Sequence, residues 1–150
     1  VTANDPIGQP LIDTFTIEIK RGYSHSTLSD LIDRPGNAKK CKYEEFLEQV
    51  IGDSKLRDDG SSWLLIVKRD RHEALVFISN FIFSSFILDL DVKWPKSYIK
   101  YSSDILNIWE EIVIMKLNDF LNIITPELIK EYAKCLKIKS TKENKRKTLK

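Results

Sequence analysis

Two side chains of opposite charge, Glu18 and Lys20, lie two positions apart in a segment where apolar and polar residues alternate. Because this alternation is typical of a β-strand, we expect both side chains to project from one face of a central strand, with Cα atoms about 6.5 Å apart. Phe15, Ile17 and Ile19 then occupy the opposite face, toward the core. The carboxylate of the pair can ligate a hard cation such as Mg²⁺ or Mn²⁺, and the lysine can orient water or neutralise charge on a phosphate. These residue types can therefore carry out metal-assisted hydrolysis, but an isolated pair with this spacing is more often a solvent-exposed ion pair, and only its context favours a catalytic role.

A series of predicted strands and helices surrounds this pair. Residues 1–5, a turn at 6–10 and the alternating segment 11–20 predict an opening hairpin. The order of predicted elements is that of an α/β or α+β domain in which one helix crosses over between two strands. The elements after the hairpin are a short helix over 28–32 capped by Ser24 or Ser26, a helix at 39–51, strands at 63–68, 74–78 and 111–117, and a helix with Pro126 in its first turn.

The composition fits one folded domain. The chain has 150 residues, of which 42% are hydrophobic and 31% charged, which excludes disordered, collagenous and disulfide-scaffold proteins. Cys41 and Cys135 lie far apart without a histidine or cysteine cluster, which indicates free thiols in a reducing compartment and no zinc site. No apolar stretch approaches the ~20 residues of a membrane span, and no signal peptide is visible. These features predict a cytoplasmic protein that does not bind membranes.

Charge is distributed unevenly along the chain. The formal net charge is +2, but residues 134–150 carry eight basic residues against Glu143 alone. We therefore divide the chain into a domain at 1–133 and a flexible basic tail at 134–150. Such a tail suits a polyanionic partner, while a solvated terminus that maintains solubility is an equal alternative.

The sequence around the pair, Thr-Ile-Glu-Ile-Lys-Arg-Gly-Tyr-Ser at 16–24, resembles the PD-(D/E)XK or restriction-endonuclease-like nuclease superfamily, and in particular a group of phage-type nucleases. Segments 43–49, 63–71 and 114–121 are similar to the same group, so the resemblance covers roughly residues 1–125. It implies a central mixed sheet flanked by helices, Mg²⁺ or Mn²⁺ as cofactor, Glu18 as a metal ligand and Lys20 as the catalytic lysine. It also implies a phage-encoded or bacterial protein.

The superfamily pattern further requires an acidic residue on the strand before the glutamate strand. With a hairpin turn at 6–9, the position that faces Glu18 falls a few residues before Val1, so the aspartate that the superfamily requires is expected upstream of this sequence. Asp13, which lies closer to the strand, and Asp5 are the substitutes within the sequence, and Asp13 is named as the second metal ligand.

Other polar residues are secondary candidates. Gln49 and Glu45, on the predicted 39–51 helix, are candidate auxiliary groups for the metal, although an exposed helix face without such a role is the favoured explanation. Four basic residues are predicted to bind DNA phosphates: Arg21, Lys68, Arg69 and Arg71. Asp70 lies among them, so a charged hairpin turn is the alternative. His25 and His72 have no triad or metal spacing and receive no role.

The leading functional hypothesis is a metal-dependent nuclease that hydrolyses phosphodiester bonds in DNA. The alternatives are a non-catalytic nucleic-acid-binding or interaction protein of a phage or mobile element with the same fold, and a structural domain with a surface ion pair. The expected partners are DNA and a divalent metal, and a homodimer is compatible with the sequence.

Overall fold

A five-stranded mixed sheet forms the centre of the protein, as seen in a computed structural model that describes residues 3–22, 27–33, 39–57, 61–87 and 96–134. The order of the strands across the sheet is β1-β2-β3-β5-β4. Strands β1 and β2 are parallel, and the other neighbouring pairs are antiparallel. The strands are β1 (Phe15–Arg21), β2 (Ser62–Lys68), β3 (Leu75–Ser79), β4 (Ser97–Ser103) and β5 (Ile108–Lys116).

Helices cover both faces of this sheet. They are α1 (Gln9–Thr14), α2 (Lys42–Lys55), α3 (Asn80–Ile87), α4 (Leu117–Ile123) and α5 over 126–134, with short 3-10 turns at Pro6–Gly8 and Ser29–Leu31. Within the described part of the chain, no helix is long and apolar enough to cross a membrane. The coarse expectation of an α/β or α+β fold with a mixed sheet flanked by helices is confirmed.

Helix α2 makes the crossover that two parallel neighbouring strands require. Its apolar stripe, which includes Phe46, Leu47 and Val50, is buried against every second residue of the central strands, such as Leu65 and Phe77. The alternate residues of the same strands face the opposite side, where α1, α3, α4 and α5 pack. Two hydrophobic clusters therefore sandwich the sheet, and α2 packs on the face that carries Glu18 and Lys20, together with Leu28 and Leu31 at the second 3-10 turn.

The predicted opening hairpin is wrong. Residues 6–14 form a 3-10 turn followed by α1, so they do not form a turn and the first half of a strand. Asp5 caps the 3-10 turn by accepting from the Ile7 amide at 3.0 Å, and Pro10 occupies the first turn of α1, where its missing N–H costs no hydrogen bond. Pro6 and Pro10 therefore lie in the first turns of helical segments and not in a hairpin turn.

Other differences concern elements without clear periodicity. Helix α3 and strand β4 were not predicted, because the aromatic-rich stretch after Ser79 has neither a period of 3.6 nor a period of two. The helix expected at 39–51 runs from Lys42 to Lys55. The helix expected at 28–32 is only the 3-10 turn Ser29–Leu31, and its proposed capping serines lie outside the described residues.

A hydrogen bond joins β4, the outer strand of the sheet, to α2. Buried Ser103 donates to the Glu48 carboxylate at 2.8 Å, and Lys40 pairs with the same oxygen at 2.6 Å. We expect Ser103→Ala to lower the free energy of unfolding at neutral pH by about 2 kcal/mol, because hydrogen bonds to charged groups are the stronger ones. Urea denaturation measures this loss, and the exposed neighbour Ser102, changed to alanine, is the control.

The same bond predicts a pH dependence. Burial disfavours the charge of Glu48, but the hydrogen bonds from Lys40 and Ser103 outweigh it and lower the pKa of this carboxyl below its ordinary value of 4.5. The stabilisation is therefore present above pH 4.5 and is lost as the pH falls through the lower folded-state pKa. The difference between wild type and Ser103→Ala should shrink in acid. An equal difference at neutral and acidic pH would contradict this origin.

Candidate active site

Glu18 and Lys20 project from the same face of β1, as predicted, and their side chains touch. The distance between Lys20 Nζ and Glu18 Oε1 is 2.5 Å. Lys20 Nζ also donates to Gln49 Oε1 of α2 at 2.9 Å. The exposed fractions of the two charged side chains are 17% for Lys20 and 26% for Glu18, so the pair is shielded but still open to a ligand.

Phe46 completes the environment of the lysine. Lys20 Nζ lies 5.2 Å from the centroid of the Phe46 ring, within the range of a cation–π interaction. Phe46 and Gln49 are three residues apart and therefore lie on the same side of α2. Together with Glu18 they hold the amine in place. Phe46 belongs to the apolar stripe of this helix, and sequence spacing alone does not show which strand residue such a side chain contacts.

The position of β1 in the sheet differs from our expectation. We expected Glu18 and Lys20 on a central strand with Ile19 in the core, but β1 lies at the edge of the described sheet and Ile19 is 66% exposed. Of the three β1 residues on the face opposite the pair, Phe15 is fully buried, Ile17 is half-buried and Ile19 is exposed. The outer edge of β1 is therefore not paired with any strand that the structure describes.

The predicted DNA-binding residues lie together at the carboxyl ends of β1 and β2. Arg21 and Lys68 are partners in the parallel register, and the Gly22 amide donates to the Lys68 carbonyl at 3.0 Å. The turn between β2 and β3 carries Arg69 and Arg71. We call this group of four, Arg21, Lys68, Arg69 and Arg71, the basic edge.

Local contacts shape the basic edge. The Lys68 amine donates to the His72 carbonyl, and Arg69 Nη2 lies 3.4 Å from His72 Nδ1. Arg71 adopts a φ of 61°, a left-handed conformation that makes the turn tight. Burial raises the pKa of Tyr43 at the start of α2, and the charge of Arg69 opposes this effect. His72, to which we assigned no role, thus contacts two residues of the basic edge.

The structure does not bring the other predicted acidic residues to Glu18. Asp13 is exposed on α1, where it accepts from Gln9 at 2.8 Å and lines a hollow with Pro126 and Lys130. That hollow belongs to the helical layer on the other side of the sheet. Asp5 caps the first 3-10 turn. The expectation that Asp13 continues the Glu18 strand is wrong, since residues 9–14 are helical.

Of the two auxiliary candidates, Gln49 joins the pair, whereas Glu45 forms an exposed ion pair with Lys42 at 2.6 Å. In the described ranges, no group of three or more histidine, cysteine, aspartate or glutamate side chains is arranged to hold a metal ion. The basic tail at 134–150 lies outside the described residues apart from Lys134, the last described residue of α5. The candidate active site therefore consists of Glu18, Lys20, Gln49 and Phe46, with the basic edge beside it.

Comparison with known proteins adds no relative: no protein-family model, no curated protein and no solved structure matches this chain.

Proposed function

We propose that this protein is a divalent-metal-dependent nuclease that hydrolyses phosphodiester bonds in DNA. The observation that carries the proposal is the contact of Glu18 and Lys20 on one face of β1, with Gln49 at hydrogen-bond distance from the lysine. A carboxylate and an amine held together beside four basic residues combine the two requirements of such an enzyme, a ligand for a hard cation and a surface for phosphates. The resemblance of residues 16–24 to PD-(D/E)XK nucleases points in the same direction.

The donor atoms at the site suit Mg²⁺ or Mn²⁺. Magnesium in proteins commonly takes one or two carboxylates and completes its shell with water and substrate phosphate oxygens. Glu18 is the carboxylate that would hold the ion, and the amide oxygen of Gln49, 2.9 Å from Lys20 Nζ, is a neutral oxygen donor beside the pair. Such an ion supplies Lewis-acid chemistry and makes bound water a stronger nucleophile at neutral pH. Asp13 and Glu45 are not needed as ligands in this arrangement.

A second carboxylate has a natural place beside Glu18. The outer edge of β1 leaves its backbone groups open to another strand, as far as the described residues extend. A strand added there would place its own side chains about 5 Å from Glu18. We therefore expect any further acidic ligand on a strand that pairs with this edge.

The chain's own residues have distinct roles in the proposed reaction. The Lys20 ammonium neutralises charge that develops on the phosphate, and Gln49 and Phe46 keep it directed to that point. The basic edge binds the flanking phosphates and fixes the position of the backbone relative to Glu18. Because phosphate contacts carry no sequence information, this part of the site predicts little base preference.

Incubation of the full-length protein with linear and circular DNA, with Mg²⁺ and with EDTA, tests the proposal. We expect cleavage with Mg²⁺ or Mn²⁺ and none with the chelator. Binding of DNA without cleavage at any divalent metal concentration would instead favour the alternative, a non-catalytic nucleic-acid-binding protein. One observation favours this non-catalytic function: in the described part of the chain, Glu18 pairs with Lys20 but belongs to no group of three or more potential metal ligands.

The basic edge yields a separate prediction about salt. We expect the double variant Arg21→Ala with Lys68→Ala to weaken DNA binding and to reduce the slope of log affinity against log salt by about two, because each lost phosphate contact removes about one. Fluorescence anisotropy across a salt series measures the slope. Lys130→Ala, which removes an exposed charge from α5, is the control and should leave the slope unchanged. An unchanged slope in the double variant would show that DNA binds elsewhere.

A further inference from the structure

Two aromatic side chains lie exposed at the end of the sheet opposite the basic edge. Phe81, in the first turn of α3, is 80% exposed, and Trp109, at the start of β5, is 65% exposed. Large aromatic residues dominate protein cores and binding sites because their burial stabilises strongly, so exposed rings that share one hollow point to a ligand.

Both rings line a continuous groove. Two adjoining hollows, with volumes of about 640 and 450 Å³, share Ser79, Phe81, Trp109 and Glu110 in their walls. We call this the aromatic groove. The larger hollow is bordered by polar groups of α3 and by Glu111, and the smaller one reaches Lys55 at the end of α2.

The charges around the groove suit a ligand with planar rings and phosphates. Lys100 Nζ lies 5.6 Å from the Trp109 ring, and Lys55 extends along the other side of the groove, where it donates to the Leu106 carbonyl. These two amines can reach phosphate oxygens. The carboxylates of Glu110 and Glu111 disfavour phosphates on the groove wall itself but accept hydrogen bonds from exocyclic amines of bases. A polynucleotide segment with its bases in the groove and its backbone toward the lysines satisfies both sets of groups.

The groove lies within reach of the candidate active site. Glu18 pairs with Leu65 in the parallel register, half-way along β2 between Ser62 at the groove end and Lys68 at the basic edge. Glu18 is level with Leu65 of β2, which is level with Phe77 of β3 and Ile114 of β5. Trp109 lies five residues before Ile114, or about 17 Å along the strand, and the three strand spacings from β1 to β5 add about 14 Å sideways. Glu18 and Trp109 are therefore roughly 22 Å apart, the length of about six or seven nucleotides at 3.4 Å each.

We propose that the aromatic groove binds unpaired bases, so that the substrate is DNA with a single-stranded segment. Bases in a duplex are stacked on each other and cannot reach rings set in a groove, whereas unpaired bases stack on aromatic side chains irrespective of sequence. The substrate class rests on the proposed nuclease function, but binding of bases does not require the metal or cleavage.

A binding experiment without divalent metal separates the two proposals. The probes are a 5′-labelled oligonucleotide of twelve adenines and one with the same number of abasic sites, which carries the same phosphates without bases. We expect the full-length protein to bind the adenine probe more tightly. Trp109→Ala and Phe81→Ala should each weaken adenine binding by about tenfold and leave abasic binding unchanged, while Trp109→Phe should retain most of the affinity.

The control is Ile105→Ala, which truncates an apolar side chain that is 74% exposed and does not line the groove. Thermal melting of each variant reports on the fold. Equal affinity of wild type for the two probes, unchanged adenine binding in both alanine variants, or equal losses for both probes would overturn base binding in the groove. Failure of cleavage with intact base binding would overturn the nuclease proposal alone.

Discussion

Glu18→Gln should abolish Mg²⁺-dependent DNA cleavage, with kcat reduced by at least about 100-fold. Glutamine is nearly the same size as glutamate but has no charge to hold a hard cation, and metal ions commonly contribute several kcal/mol of transition-state stabilisation. Lys20 retains its hydrogen bond to Gln49 in this variant, so the rest of the site stays in place. A time course of cleavage of a labelled oligonucleotide in the full-length protein measures the effect.

The fold should tolerate this change. The Glu18 side chain is partly exposed, and an ion pair in such a position contributes only about 0–1 kcal/mol to stability. We expect the melting temperature of Glu18→Gln to remain within a few degrees of wild type. Glu127→Gln, the same substitution at an exposed position of α5, is the matched control and should keep full activity. Full activity in Glu18→Gln would contradict its role as a metal ligand, and a loss of the folded state would identify it as a structural partner.

The parts of the fold that follow from local periodicity could be predicted from the sequence. Helix α2 has an apolar stripe with helical spacing, and β2 is a continuous apolar run, so both were recognised with small errors in their ends. Gln49 could also be named as a candidate site residue, because it lies on the predicted helix between the Glu18 strand and β2. For α2 and β2 the physical cause is burial of one face or of both faces, and residues close together in the chain show it.

The remainder depends on contacts between distant residues. The alternation Phe15, Ile17, Ile19 predicts a strand with an apolar face, but it does not show that the strand lies at a sheet edge, where Ile19 stays exposed. The helical start of the chain follows from Asp5 and the prolines, which serve equally well in hairpin turns. The aromatic groove joins α3 to β5, separated by more than twenty residues, and no local pattern indicates that pairing.

The position of Lys20 is another result of tertiary structure, and it determines what a substitution there should do. Its amine lies between Glu18 and Gln49 and over the Phe46 ring, so the charge is held at one point. Methionine at this position keeps a long flexible side chain that packs favourably on an aromatic ring, and it removes only the charge and the donors. We therefore expect Lys20→Met to fold normally.

The same variant should lower kcat by about 100-fold, the usual effect of losing one donor that stabilises charge in a transition state. KM should change little, because the basic edge still binds the phosphates of the ground state. Lys20→Arg restores the charge with a planar group of different reach, and we expect it to recover part of kcat. Steady-state kinetics of the three proteins on one oligonucleotide distinguishes these effects. If Lys20→Met raised KM and left kcat unchanged, the lysine would bind substrate without taking part in the reaction, and the Glu18–Lys20 contact would then belong to a DNA-binding surface.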